Sequence, residues 1–173
     1  GPKNVMATTL RFFMSYDPSY LTSDLRFRKA LTLGMNIPRF IETVYPPEAA
    51  SVPHGSSLFS PMGDGYDETL SQYRYDPDTA RLLLQEAGYK GETVHLFSIV
   101  GYGLTELPSI NRLMAADWES IGVKVNIIDT QFPVVQARYL EEPQKFEDVA
   151  PAPLFHGAFQ TRPDVLSVIK RYM

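Results

Sequence analysis

From residue 76 onward the apolar positions follow two alternating periods. Behind Asp76-Pro77-Asp78, the residues Ala80, Leu83, Leu84 and Ala87 recur at i, i+3, i+4, i+7, and Gly88 follows them. That is a helix with an acidic cap, a proline in its first turn and a glycine stop. Thr93-Val94-His95-Leu96-Phe97-Ser98-Ile99 is β-branched and aromatic and reads as a strand. Gly101-Tyr102-Gly103 interrupts the pattern. Ser109 is the expected cap of the next helix, with Ile110, Leu113, Met114, Asp117, Trp118 and Ile121 on one face and Gly122 closing it. Val123 to Ile128 predicts another strand, and Pro133 opens a helix to about residue 142, where Pro143 stops it. A final strand near 147–151 and a helix from about 163 complete the order. Strands alternating with helices of this length imply a layered α/β lobe with parallel crossovers.

The first half is less regular. Residues 7–14 read as a strand, and Asp17-Pro18 with Thr22-Ser23-Asp24 as a turn from which Ser23 or Asp24 caps a helix over about 25–34. Phe27, Ala30, Leu31 and Gly34 supply its apolar stripe, while Leu25, Arg28 and Lys29 lie near another face. Asn36 is placed to cap a second helix, with Pro38 in its first turn and Phe40, Ile41, Val44 and Tyr45 facing inward. Residues 46–68 carry Pro46, Pro47, Pro53 and Pro61 with glycines at 55, 63 and 65. A loop of this length inside a compact domain is usually functional or packed on a neighbour.

Composition narrows the class. With 173 residues, 44% of them hydrophobic and 21% charged, the chain suits one ordinary domain or a large piece of a bigger protein, not a disordered segment. No apolar run reaches the roughly 18 residues of a membrane span. A net charge of −4 argues against a nucleic-acid partner. Without cysteine there are no disulfides, thiol nucleophiles or thiolate metal sites. Gly1-Pro2 reads as the scar of a tag protease, and the helical pattern running up to Met173 predicts an excised fragment.

Candidate chemistry is sparse. His54, His95 and His156 are too widely spaced for the local patterns of zinc sites, so a metal centre would need tertiary convergence, and no metal or cofactor is expected. His95 reads as a packed or edge histidine of its strand. His54-Gly55-Ser56-Ser57 sets serines beside a histidine, but lacks the strand–turn–helix setting of a nucleophile elbow and reads as a loop turn. Gly101-Tyr102-Gly103 lacks both the third glycine of a dinucleotide turn and the Gly-Lys-Ser/Thr of a phosphate loop. What it retains is a glycine-flanked tyrosine at a strand's carboxyl end, where open α/β sheets usually present ligand contacts. Trp118 falls on the buried stripe of its helix and reads as core, with Asp117 at the polar margin.

Three segments in register resemble the family 5 extracellular solute-binding proteins, the oligopeptide- and dipeptide-binding components of ABC importers. Asp24-Leu-Arg-Phe-Arg-Lys-Ala-Leu-Thr-Leu-Gly-Met-Asn36 is similar to Asp-x-Arg-Val-Arg-x-Ala-Leu-x-x-Ala-Ile-Asp-Arg, with Gly34-Met35-Asn36 in place of Ala-Ile-Asp. Tyr75-Asp-Pro-Asp-Thr-Ala-Arg-Leu-Leu-Leu-Gln-Glu-Ala-Gly-Tyr89 resembles Tyr-Asp-Pro-x-x-Ala-x-x-Leu-Leu-x-x-Ala-Gly-Tyr. Trp118-Glu-Ser-Ile-Gly-Val-Lys-Val125 resembles Leu-x-x-Ile-Gly-Ile-x-Val. Order and spacing agree over about 8–170.

The resemblance implies a lobe of the type II periplasmic-binding-protein-like fold, a mixed sheet flanked by helices. Residues 3–173 would be the carboxyl-terminal ligand-binding lobe of a two-lobed protein whose amino-terminal lobe lies elsewhere. It implies a non-enzymatic protein, periplasmic or extracellular and lipid-anchored in some members, that closes on a small solute and hands it to a membrane permease. Many peptide binders of the family carry Gly-Trp-x-Ala-Asp-Tyr after the last strand, the Trp lining the pocket and the Asp pairing with the peptide's amine. Here the matching run is Phe155-His156-Gly157-Ala158-Phe159-Gln160, with His156 at the Trp and Phe159 at the Asp. The expected ligand-binding residues are therefore Tyr102, Gly103, His156, Phe159 and Gln160. A peptide is the expected solute. A carbohydrate, opine or metal chelate is the alternative within the fold, a ligand-sensing regulatory module the alternative outside import, and an enzyme a distant third.

Overall fold

The computed structural model describes residues 8–14, 18–45, 74–100, 105–137 and 152–160, with backbone only for the first and last of these stretches. In chain order the elements are β1 (Thr8–Met14), a 3-10 turn (Leu21–Ser23), α1 (Leu25–Leu33), α2 (Ile37–Val44), α3 (Pro77–Glu86), β2 (Thr93–Ile99), α4 (Leu107–Ser120), β3 (Lys124–Thr130), α5 (Phe132–Val135) and β4 (Ala152–Gln160). The four strands form one sheet in the order β1-β4-β2-β3. β2 pairs parallel with β3 and β4, while β1 pairs antiparallel with β4. The sheet is therefore mixed, as the resemblance implies, with helix α4 crossing between the parallel neighbours β2 and β3.

The segment at α1 shows how sequence makes local structure. Asp24 accepts the Arg26 N–H at 2.7 Å and so satisfies an orphan donor of the first turn. Arg26 folds back to hold the same carboxylate at 2.6 and 3.1 Å. Ser23, the other candidate cap, turns its hydroxyl to the Tyr20 carbonyl instead. Arg28 donates to the carbonyls of Thr22 and Ser23 at 2.9 and 2.8 Å, tying the preceding turn to the helix. The Asp-x-Arg-x-Arg pattern is thus a helix-start device. Phe27, Ala30 and Leu31 are buried beneath it.

Arg26 holds the Asp24 carboxyl down to about 2 from its ordinary 3.8, chiefly through their side-chain hydrogen bond. A group with a depressed folded-state pKa contributes stability above its unfolded pKa and loses it as the pH falls through the folded one. The thermal midpoint of the natural chain should therefore slightly exceed that of Asp24→Asn at pH 5, the effect being small because the pair is exposed. The difference should shrink between pH 4 and 2. A difference that is flat across that window would show that the ion pair contributes nothing.

At the other end of α1, three groups from three places close the last turn. Met35 N–H returns to the Thr32 carbonyl, Asp76 N–H reaches the Leu33 carbonyl at 2.8 Å, and Trp118 Nε1 donates to the Leu31 carbonyl at 2.8 Å. α4 therefore grips the α1–α2 corner with two consecutive residues. Trp118 holds the end of α1. Asp117, 8% exposed at its side chain, accepts the Asn36 N–H at 2.8 Å and pairs with Arg39 at the start of α2. A carboxylate at that point also meets the positive end of the α2 dipole. Asn36 itself caps α2 by accepting the Arg39 N–H at 3.2 Å. Asp117 is thus no polar margin but a buried carboxylate held in a structural ion pair with the half-exposed Arg39. Gly34 sits in the same corner with an ordinary helical φ of −74°. A Cβ there would lie 2.6 Å from Ile121 Cδ1, so alanine, which the family pattern has at this point, would require the end of the Ile121 side chain to shift.

The main core lies on one side of the sheet. Val94 and Leu96 of β2 meet Phe27, Leu31, Phe40, Leu84, Ile110, Met114 and Trp118 of the helices, with Val125 and Ile127 of β3 half-buried beside them. The alternate residues Phe97 and Ile99 pack with Val135, Tyr20, Ile128 and Phe132 in a second, smaller cluster. This period of two is what a strand covered on both faces requires. α3 is capped by Asp76, whose carboxylate accepts Thr79 N–H at 3.0 Å, and Gly88 (φ 76°) turns the chain after it. Gly122 (φ 97°) does the same after α4. Tyr89 closes the amino end of the strands: its hydroxyl donates to Glu92 O at 2.6 Å and accepts Lys124 N–H at 2.8 Å.

Some boundaries differ from the sequence reading. α4 begins at Leu107, two residues before the expected Ser109 cap, with Glu106 at the N-cap and no side-chain cap; Pro108 occupies the first turn, where a missing N–H costs nothing. β3 continues two residues past Ile128 to Thr130. The segment read as a strand at 147–151 lies outside the described residues, and the strand present is Ala152–Gln160. The run 155–160 is therefore inside a strand, not after it. Pro153 is the register partner of His95 of β2, and among the described residues the pairing with β1 reaches Leu154. Only Phe132–Val135 of the helix expected to run to about 142 is described as α-helix. The long loop at 46–68 and the helix from about 163 lie outside the described residues.

Candidate functional site: the carboxyl end of the parallel strands

β2, β3 and β4 run the same way, so their carboxyl ends share one edge of the sheet. There β2 finishes with the buried Ser98 and Ile99, then Val100, whose N–H bonds the Thr130 carbonyl at 2.9 Å and continues the pairing with β3. β4 pairs with β2 as far as His156 opposite Ser98. Among the described residues, Gly157 to Gln160 pair with β1 alone, so β4 projects past the described part of β2 by four residues, about 13 Å of strand.

The expected ligand residues fall as follows. His156 is the register partner of Ser98 on one side and of Phe12 on the other. Phe159 pairs with Thr9 and Gln160 with Thr8, both on the projecting stretch. Along the pleat, His156 and Gln160 share one parity and Phe159 has the other. Tyr102 and Gly103 lie outside the described residues; they follow the end of β2 by three and four positions.

Two features of this edge carried no sequence signal strong enough to single out. The first is Ser98, a polar residue in the apolar run Leu96 to Ile99. The second is the pair Arg112–Asp129, 3.3 Å apart and about half exposed on α4 and β3. Asp129 is the register partner of Ser98, so Asp129, Ser98 and His156 stand side by side on three strands. Arg112 also donates to the Pro108 carbonyl at 3.1 Å.

Other singled-out residues belong to the fold. Trp118 is 1% exposed with its indole N–H bonded, which is core packing. His95 is half-buried on the smaller-cluster side, its Nδ1 3.2 Å from Asn126 Nδ2. Tyr45, half-buried and packed against the main core, has its hydroxyl pKa pushed up by burial, with the Glu106 charge adding to it. Among the described residues no three metal-ligating side chains converge. His54, Ser56 and Ser57 lie outside them.

A mixed sheet of this order, with a core helix crossing between parallel strands, is the fold of solute-binding proteins. The chain matches the dipeptide-binding protein from Pseudoalteromonas sp. SM9913 in complex with Met-Leu with a TM-score of 0.71 and 18% identity, covering 96% of this chain and 33% of that one. The family profile of the bacterial extracellular solute-binding proteins, family 5 middle region, matches residues 3–148, and the chain belongs to that family. It is 32% identical over 106 residues to di/tripeptide-binding protein 2 of Pseudomonas aeruginosa, and 32% identical over 109 residues to the dipeptide-binding protein of Escherichia coli. These stretches are 60% and 61% of this chain but 19% and 20% of those proteins. The chain thus spans about a fifth of the length of the curated relatives it matches.

Proposed function

We propose that the chain is the carboxyl-terminal ligand-binding lobe of the substrate-capture protein of an ABC importer, that it works outside the cytoplasmic membrane, and that its solute is a short peptide. One observation carries the reading: the residues standing at the family's peptide-contact run, His156 to Gln160, occupy the carboxyl edge of parallel strands, the place where open α/β sheets present ligand contacts. Family membership and relatives named for di- and tripeptides support the same solute class. Tyr102 and Gly103 are assigned to the site because they follow β2 at that edge. The lobe is a platform: α1, α2 and α3 are capped, α4 locks the α1–α2 corner, and the contacts come from strand ends and loops. Capture itself would come from closure of a second lobe over the solute, followed by delivery to a permease. Binding without chemistry is the role proposed, in line with the family's solute-binding members.

A solute held between two lobes loses about half its contacts, and its shelter from water, when one lobe is missing. Calorimetry with a panel of di- and tripeptides, Met-Leu among them, is therefore expected to show binding by the full-length parent and at least hundredfold weaker binding by these 173 residues. Equal affinities would place the whole site in this lobe. A parent that binds sugars or metal chelates from a parallel panel, and no peptide, would replace the peptide reading by its alternative.

A further inference from the structure

Helix α2 lies antiparallel along α4, and the two ends of the contact differ in kind. At one end Asp117 of α4 holds Asn36 and Arg39 of α2. From there α2 carries the chain roughly 13 Å to Tyr45, while α4, followed back from Asp117, reaches Glu106 after roughly 16 Å. The two residues meet: burial raises the Tyr45 phenol above its ordinary pKa, and the nearby Glu106 charge raises it further. They stand at the head of α4, where the chain arrives from the carboxyl end of β2, so the pair lies at the ligand edge. Both are half-buried. Glu106 occupies the N-cap position of α4 without capping it. Among the described residues neither side chain has a hydrogen bond, and Glu106 has no counter-ion, whereas Asp129 of the same edge has Arg112. The positive end of the α4 dipole lets the fold keep a carboxylate there without a cation of its own.

We infer that Tyr45 and Glu106 form a specificity-determining subsite that takes a cationic side chain of the bound peptide, such as the guanidinium of arginine. This deepens the peptide reading and rests on it. The chemistry matches an organic cation on two counts: the carboxylate supplies a charge-assisted hydrogen bond, and the phenol ring beside it a cation–π face. The cation is a side chain and not the peptide's own amine. Under the proposed function that amine falls at Phe159 of β4, and β2 lies between β4 and the crossover that α4 makes to β3.

Calorimetry on the full-length parent tests this with Met-Leu, the basic dipeptides Arg-Leu and Met-Arg, and their citrulline counterparts, which keep the shape of arginine without its charge. One of the two basic dipeptides should bind about tenfold tighter than Met-Leu and than its citrulline form, the size of one charged hydrogen bond. Glu106→Gln should bring that preference within about twofold. Tyr45→Leu, which fills the core but has no ring face, should lower it about threefold. A preference that survives in Glu106→Gln would mean that a different acid takes the cation, and overturns the proposal. Equal affinities of the natural parent for Met-Leu, the basic dipeptides and the citrulline forms overturn it too, and leave the peptide reading standing. If the natural parent binds none of these peptides, the peptide reading and the subsite fall together.

Discussion

Trp118→Ala should destabilise the chain by about 3–5 kcal/mol, the range for truncating a buried aromatic residue. The indole is 1% exposed in the main core, and its N–H closes the Leu31 carbonyl at the end of α1. Truncation opens a cavity and also strands a helix-terminal acceptor, two costs with different remedies. Trp118→Phe refills most of the volume but restores no donor, so it should recover part of the loss and leave a deficit of about 1–3 kcal/mol. Since a domain of this kind has only about 5–15 kcal/mol in total, the alanine variant should unfold at far lower urea concentration. Chemical denaturation of the three proteins checks both steps. A phenylalanine variant as stable as the natural chain would mean that the hydrogen bond to Leu31 contributes nothing.

Acetylating the amino terminus of a peptide ligand is expected to change its affinity for the full-length parent by no more than a few fold. The reason is Phe159, which under the proposed function stands where the family's peptide binders place the aspartate that pairs with the ligand's amine. An ammonium buried there would have no partner, at about 3–5 kcal/mol by analogy with broken buried pairs. That is more than a hundredfold in affinity, since each ~1.4 kcal/mol is tenfold. Phe159→Asp should restore a preference for the free amine of that size. Calorimetry with a peptide and its acetylated form, in the natural and the mutant parent, gives the four affinities needed. A hundredfold preference in the natural protein would show that another acid, such as Asp164, takes the amine.

The motifs that marked the family proved to be parts of the scaffold. Asp24, Arg26 and Arg28 start a helix, Tyr75 to Tyr89 makes a capped helix whose last tyrosine clasps two strands, and Trp118 locks a corner. Asp24, Arg26, Arg28 and Asp76 were legible because they act within a turn or two of their own helix, whereas Trp118 reaches Leu31 across 87 positions and Tyr89 reaches Lys124 across 35. The candidate site was less legible. A run of residues at one strand end is visible in sequence, but the partners that make it an edge are not, because pairing joins Ser98 to His156 across 58 positions and to Asp129 across 31.

The sequence by itself determined the parts whose physics is local: the alternation of strands and capped helices, the apolar stripes of α1, α3 and α4, and the glycine stops at Gly88 and Gly122. Only the tertiary structure decided the antiparallel placing of β1, the central position of β4 and the extent of that strand through Pro153. The same holds for the burial of Asp117 against Arg39, 78 residues away, and for the burial of Ser98. Hydrophobic period and capping act over a few residues and leave their mark on adjacent letters. Strand order, ion pairing and the cost of an unpaired polar group depend on which distant surface arrives opposite, and that is set by the packing of the whole lobe.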